Sequence, residues 1–278
     1  MRTELVSIKT DTVPLEGAYY QPEGQDTVGS VQLFHGNQMN FYVGAPRFLP
    51  PVLTGIGYAC LAYNRRGHDV LSTRNSRDLE GGAFQTTAEA VADNVFAGDW
   101  LRAKGFGAPV CIGHSNGGML AVCHTADHSD TPALVLLSAH CGGTAIAPEC
   151  SKLGLWAGDN FDAVKHQAEE LVAAGRGRDL MLLPGWWKVT TAESALDYIA
   201  NVPDTLELAP RITCPVLFIR GDQEPRHVYP AEDFKEACAG PVEVRIIDDC
   251  GHFYSGREEV ISDTVSGWLA GLDIFPEV

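Results

Sequence analysis

The 278 residues carry 36 acidic against 20 basic side chains, a formal charge of −16 at neutral pH. Neither a nucleic acid nor an anionic membrane surface is attracted to such a chain. With 45% hydrophobic and 20% charged residues, it has the balance of a folded globular protein, sized for one large α/β domain or one domain carrying an insertion.

The N-terminal stretch holds Arg2, Glu4, Lys9 and Asp11, which leaves no apolar core for a signal peptide. From there, short β-branched runs alternate with helix-length segments, the pattern of a mostly parallel sheet with crossover helices. Strands are expected over 3–10 and 15–20, joined through Thr12-Val13-Pro14 as a hairpin that starts the sheet antiparallel. A strand at 28–34, a helix at 46–53, a strand at 58–64 and a helix at 87–104 follow. Next come a strand at 109–112, a helix at 116–125 and a strand at 133–138. Further on, strands at 216–220 and 242–247 alternate with helices at 231–239 and 258–270. Pro14, Pro132 and Pro215 stand at strand entrances, where a missing N–H costs least. No run approaches the ~20 apolar residues of a membrane helix.

Between 141 and 211 the rhythm breaks. No strand is legible there, and helical pieces at 161–174 and 192–199 are mixed with Trp156, Trp186 and Trp187. The segment is too long for a structureless loop inside a compact domain. It reads as a helical cap, which divides the chain into a core of 1–140 and 212–278 and a cap of 141–211. Trp186 and Trp187 are the candidates for an apolar wall of a substrate pocket.

The chemistry centres on Gly113-His114-Ser115-Asn116-Gly117, a G-x-S-x-G pattern with the apolar run 110–112 before it and a helical run from Met119 after it. A serine on a tight strand-to-helix turn needs small neighbours, and the helix N-terminus behind it favours developing negative charge. Its hydroxyl is a weak nucleophile until a base takes the proton, and the base needs an acid to fix its tautomer. Gly251-His252 follows the last strand. Asp222 and Glu224 both follow the strand before it, and either could serve as the acid. All of these fall just past the carboxyl ends of strands, where open α/β sheets hold their ligands. Two backbone N–H groups must face the oxyanion. Asn116 supplies one, and the loop 34–38 supplies the other, from Asn37 or else Gln38; His35 reads as an organiser of that loop.

These residues resemble the α/β-hydrolase superfamily, in a form with a cap. The likeness rests on His35-Gly36, Asn64-Arg65-Arg66-Gly67-His68-Asp69 with Ser72, the Ser115 motif, Gly221 to Glu224, and Gly251-His252. Asn64 and Asp69 depart from the family's Asp-x-Arg-Gly-x-Gly-x-Ser, and Ser72 stands one position late. The resemblance implies an α/β-hydrolase fold: a mostly parallel eight-stranded sheet with helices on both faces and an inserted helical cap. It also favours Glu224, three residues after Gly221, as the acid, while Asp222 directly after the glycine is suited to holding a turn.

The expectation is therefore a cofactor-free serine hydrolase that cleaves a carboxylic ester of a small molecule with an apolar group. Ser115 would act as nucleophile, His252 as base and Glu224 as acid, with Asn37 and Asn116 forming the oxyanion hole. Neither a nucleic acid nor a membrane is expected as a partner. Thioester, lactone, amide or C–C cleavage on the same groups, and a non-catalytic binding protein of this fold, are the alternatives. His124 and His128 have a spacing that could hold a metal, but no third ligand is in view. Arg65 or Arg66 could meet a substrate carboxylate. The eight cysteines are scattered without a C-x-x-C pair, which suits a reduced, cytoplasmic protein; Cys141 and Cys150 are close enough in sequence to bridge.

Overall fold

The computed structural model describes residues 1–70, 79–185, 188–272 and 274. Its main sheet has eight strands in the order β1-β2-β4-β3-β5-β6-β9-β10. These are β1 (Arg2–Ile8), β2 (Leu15–Gln21), β3 (Gly29–Phe34), β4 (Tyr58–Tyr63), β5 (Val110–His114), β6 (Leu134–Leu137), β9 (Val216–Gly221) and β10 (Val242–Ile247). β2 runs antiparallel to both its neighbours, and every other pairing is parallel.

The central strands are covered on both faces, so they read as unbroken apolar runs whose alternate residues serve different layers. Val31, Leu33, Val135, Leu137, Leu217 and Ile219 pack against α1 (Ala45–Gly55) and α9 (Glu258–Ala270). Their neighbours Phe34, Leu134, Leu136 and Phe218 face α3 (Asn116–Asp127) and α8 (Ala231–Ala237). A third cluster seats α2 (Thr87–Ala103) through Ala97 and Leu101 against Ile8, Tyr19, Leu61 and Tyr63. α2 opens with a capping box, in which Thr86 and Glu89 satisfy each other's backbone N–H.

The strand order decides where a ligand can sit. From β3 the chain crosses through α1 to β4 on one side, then through α2 to β5 on the other. The carboxyl ends of β3 and β5 therefore diverge at a switch point, where the connections leave a crevice. The loop 35–40 and the turn at Ser115 both open into that crevice.

The segment 141–211 contains α4 (Ile146–Lys152), α5 (Phe161–Ala173), α6 (Ala192–Asn201) and α7 (Thr205–Leu208). Contrary to the sequence reading, it also holds an antiparallel pair of strands, β7 (Leu180–Leu183) and β8 (Lys188–Thr191). Met181 and Leu183 point inward while Leu180 and Leu182 are exposed, so a run of four apolar residues conceals the alternation that marks a strand. Trp156 packs on Tyr198 of α6, and the segment shares its apolar core with α3 and β6. The hairpin is tied to the loop after β4 by Thr191 N–H donating to the Ala83 carbonyl at 2.6 Å. Trp186, Trp187 and Ser72 lie outside the described residues.

Leu136 lies at the centre of this sheet, between Gly113 of β5 and Phe218 of β9, and is completely buried. Leu136→Ala should lower stability by about 2–5 kcal/mol, read as a shift of the urea midpoint with an unchanged slope.

Candidate active site

Ser115 joins β5 to α3 with φ 56° and ψ −122°, a conformation that costs a non-glycine residue about 1–3 kcal/mol. The glycines around it make the turn possible. A Cβ on Gly113 would collide with the Gly117 backbone, and one on Gly117 would collide with the carbonyls of Phe34 and His35. Gly36 brings the loop after β3 against the serine, since a Cβ there would lie 3.5 Å from that of Ser115. The N–H groups of Asn37, Gln38 and Asn116 have no acceptor among the described residues. Asn37 and Gln38 border the same pocket as Ser115, and Asn116 follows the serine directly.

His252 reaches this turn from the loop after β10. Its Nε2 lies 2.9 Å from Ser115 Oγ and its Nδ1 2.7 Å from Glu224 Oε1. The Glu224 side chain is only 3% exposed. Its other oxygen accepts hydrogen bonds from Ser138 Oγ at 2.6 Å and Gly221 N–H at 2.7 Å. Because Ser138 gives its single proton to the carboxylate, Tyr254 O–H is the donor in its 2.6 Å contact with Ser138. Burial, with Glu224 close by, raises the Tyr254 phenol well above its usual pKa, so it stays a donor.

The ring of His252 is held on several sides. Tyr229, His114 and Phe253 place their ring centroids 5.0, 4.9 and 5.1 Å away. Burial pushes His114 down to about 4, with His252 acting in the same direction. The imidazole is therefore neutral, and its Nε2–H donates to the His252 carbonyl at 2.8 Å. His140 is likewise pushed down to about 4, first by burial and then by His252. Its Nδ1 accepts from Gly142 N–H, and its Nε2–H donates to the side chain of Asn116 at 3.3 Å. None of Ser138, Tyr254, His114 and His140 was singled out from sequence. The one signal for Ser138 was a polar residue ending an apolar strand.

Asp222 and Glu224 divide their work. The two Asp222 oxygens each accept a backbone N–H, from Cys250 and Asp249, both at 3.0 Å, and these bonds hold its carboxyl below the usual carboxylate range. Asp222 thus fastens the histidine loop to the end of β9 and makes no contact with the His252 ring.

The family model described as the alpha/beta hydrolase family matches residues 33–264. The chain belongs to that family.

Solved structures with the same fold include Est1E from Butyrivibrio proteoclasticus, at 19% identity, 95% of this chain, 97% of that one and a TM-score of 0.68. A soluble variant of monoglyceride lipase from Saccharomyces cerevisiae aligns at 13% identity, 97% of this chain, 95% of that one and a TM-score of 0.71. GrgF from Penicillium sp. sh18 aligns at 14% identity, 97% and 98% coverage and a TM-score of 0.72. No curated protein matches the chain by sequence.

Within this family's fold, the remaining residues considered from sequence occupy supporting positions. His35 is fully buried; its Nε2 accepts from Arg65 N–H, so its Nδ1–H donates to the Gly36 carbonyl. The Arg65 guanidinium donates to the carbonyl of His35 at 2.8 Å and thereby braces the loop that carries Asn37. Arg66 is held by Asp93 and Asp11, and Asn64 accepts from Phe41 N–H. The His124 and His128 rings stack at 4.0 Å, and no group of three potential metal ligands occurs among the described residues. All eight cysteines are free. No described helix is long and apolar enough to cross a membrane.

Removing the Ser138 hydroxyl leaves the buried Glu224 one donor short. Ser138→Ala should cost about 1.5–3 kcal/mol, the range for hydrogen bonds to a charged group, measured by chemical denaturation at neutral pH.

Proposed function

We propose that the protein is a serine hydrolase that cleaves a carboxylic ester through an acyl-enzyme. The carrying observation is the continuous run of short contacts from Ser115 Oγ through His252 to a buried carboxylate at Glu224. Such a relay gives a hydroxyl the base it needs and gives that base a fixed tautomer.

In this reading Ser115 attacks the ester carbonyl while His252 Nε2 takes its proton. Glu224 accepts the Nδ1–H and stabilises the imidazolium. Negative charge on the carbonyl oxygen is met by the N–H groups of Asn37, in the loop after β3, and Asn116, at the start of α3 where the helix dipole adds. His252 returns the proton to the departing alkoxide, and water activated by the same histidine releases the acid. The pocket in front of Ser115 has a volume of about 260 Å³ and is bounded by Met39 and Phe253 as well as His252. It receives the alcohol portion, with its apolar surface against those two side chains. Residues 141–211 act as the cap over this cleft. The eight free thiols suit a reducing compartment, so we assign the protein to the cytoplasm.

Ser115→Ala should fold normally, lose turnover of simple esters and lose covalent labelling by a fluorophosphonate. A folded variant that keeps wild-type activity would overturn the reading. Glu224→Gln should lower kcat by about 10⁴, as the wrong histidine tautomer does in the chymotrypsin-type triad. Asp222→Asn should act mainly on stability. Steady-state kinetics with a chromogenic acetate ester separates the two, and a large kcat loss confined to Asp222→Asn would move the acid to that residue.

A further inference from the structure

Lys188 begins β8 and shares the inward face of the hairpin with Thr190. Only 9% of the residue is exposed, yet its ammonium has no ion pair among the described residues. Its one charge contact there is the face of Tyr198, 5.2 Å from Nζ to the ring centroid. An ammonium withdrawn from water without a carboxylate is costly, and burial pushes this one down to about 8. Lys188 lines a cavity of about 50 Å³ together with Asn37, Asn116, Met119 and Gln85. The Nε2 of Gln85 is itself a buried donor without a partner among the described residues. The one carboxylate of the lining, Asp197, is already engaged, accepting from the N–H and hydroxyl of Thr87 and from Asn201.

The cavity meets the proposed reaction centre at a definite place. Asn37 borders both this cavity and the pocket holding Ser115 and His252, while His252 borders only the latter. The leaving oxygen must lie at His252, which returns its proton. The group on the other side of the oxyanion donors is then the acyl chain. A cavity of about 50 Å³ takes only the end of a short acyl chain, and its lining offers that end the unpaired Lys188 ammonium.

We propose that this cavity is the acyl subsite and that Lys188 binds a carboxylate at the far end of the acyl chain, which makes the substrate a half-ester of a short dicarboxylic acid. The assignment rests on the ester-hydrolase reading above. Attack by Ser115 forms its bond to the ester carbonyl and breaks the bond to the alcohol, which leaves protonated by His252. A carboxyl-terminated acyl group remains on Ser115, and one water molecule then releases the dicarboxylate and restores the hydroxyl.

The test compares monomethyl glutarate with methyl pentanoate, which match in acyl length and differ in the terminal charge. Hydrolysis is followed by alkali uptake at neutral pH with the full chain. The wild type should favour the glutarate ester at least tenfold in kcat/KM, mainly through a lower KM. Lys188→Met should reduce kcat/KM for the glutarate ester at least tenfold more than for the pentanoate, and Lys188→Arg should recover part of the preference. A wild-type ratio near one, or equal losses on both esters in Lys188→Met, overturns the assignment; if the variant does not fold, the wild-type ratio alone decides. Fluorophosphonate labelling of Ser115 keeps the two readings apart. A labelled enzyme that rejects the glutarate ester ends the subsite proposal, whereas an enzyme that neither labels nor hydrolyses either ester ends the hydrolase reading.

Discussion

Glu224 is a carboxylate almost sealed from water, and such a group is tolerated only when its lone pairs are filled by donors. The donors come from three places far apart in sequence: Ser138 past the end of β6, Gly221 at the end of β9, and His252 after β10. Satisfying one buried charge therefore fixes the relative positions of three strand ends. His252 is directed at Ser115 as a geometric consequence, because its other nitrogen already faces the carboxylate. Tyr254 extends the same set by holding Ser138 from behind, and Asp222 ties the histidine loop down independently.

The opposite half of the site is held by backbone crowding. The Ser115 turn, the loop after β3 and the first turn of α3 approach so closely that Gly113 and Gly117 have no room for a side chain against the neighbouring backbone. Crowding of this kind has few adjustable parts, so it holds the loop after β3 in one place against the serine turn. Arg65 serves the same end. A buried guanidinium bonded to the carbonyls of His35 and Gly36 braces the loop that carries Asn37 and Gln38.

Much of this was legible along the chain because the relevant signals are local. The alternation of buried strands and helices, the glycines around Ser115 and the glycine before His252 each lie within a few residues. The division between Asp222 and Glu224 is argued from turn chemistry displayed in a four-residue stretch. What was not legible depends on neighbours brought together by folding. Ser138 is an unremarkable residue until β6 lies beside β9, and His114 and His140 acquire meaning only once the His252 loop covers them. The hairpin of β7 and β8 was missed for a different reason: Leu180 and Leu182 are apolar but exposed, so hydrophobic pattern and burial pattern disagree there.

The charge of the protein sharpens the reading of Lys188. A chain of formal charge −16 repels an anionic substrate at long range, so electrostatic steering cannot supply the selectivity. At physiological ionic strength, however, that repulsion is screened beyond about 8 Å, while a largely buried cation is screened much less. Recognition of an anionic acyl chain would then be a short-range event, felt after the ester has entered the cleft. It would act on residence and KM more than on the rate of encounter. A buried lysine without a counter-ion among the described residues fits that role better than a surface one, because the free energy cost of its desolvation is already incurred when the chain folds. The arriving carboxylate meets a cation already largely withdrawn from bulk water.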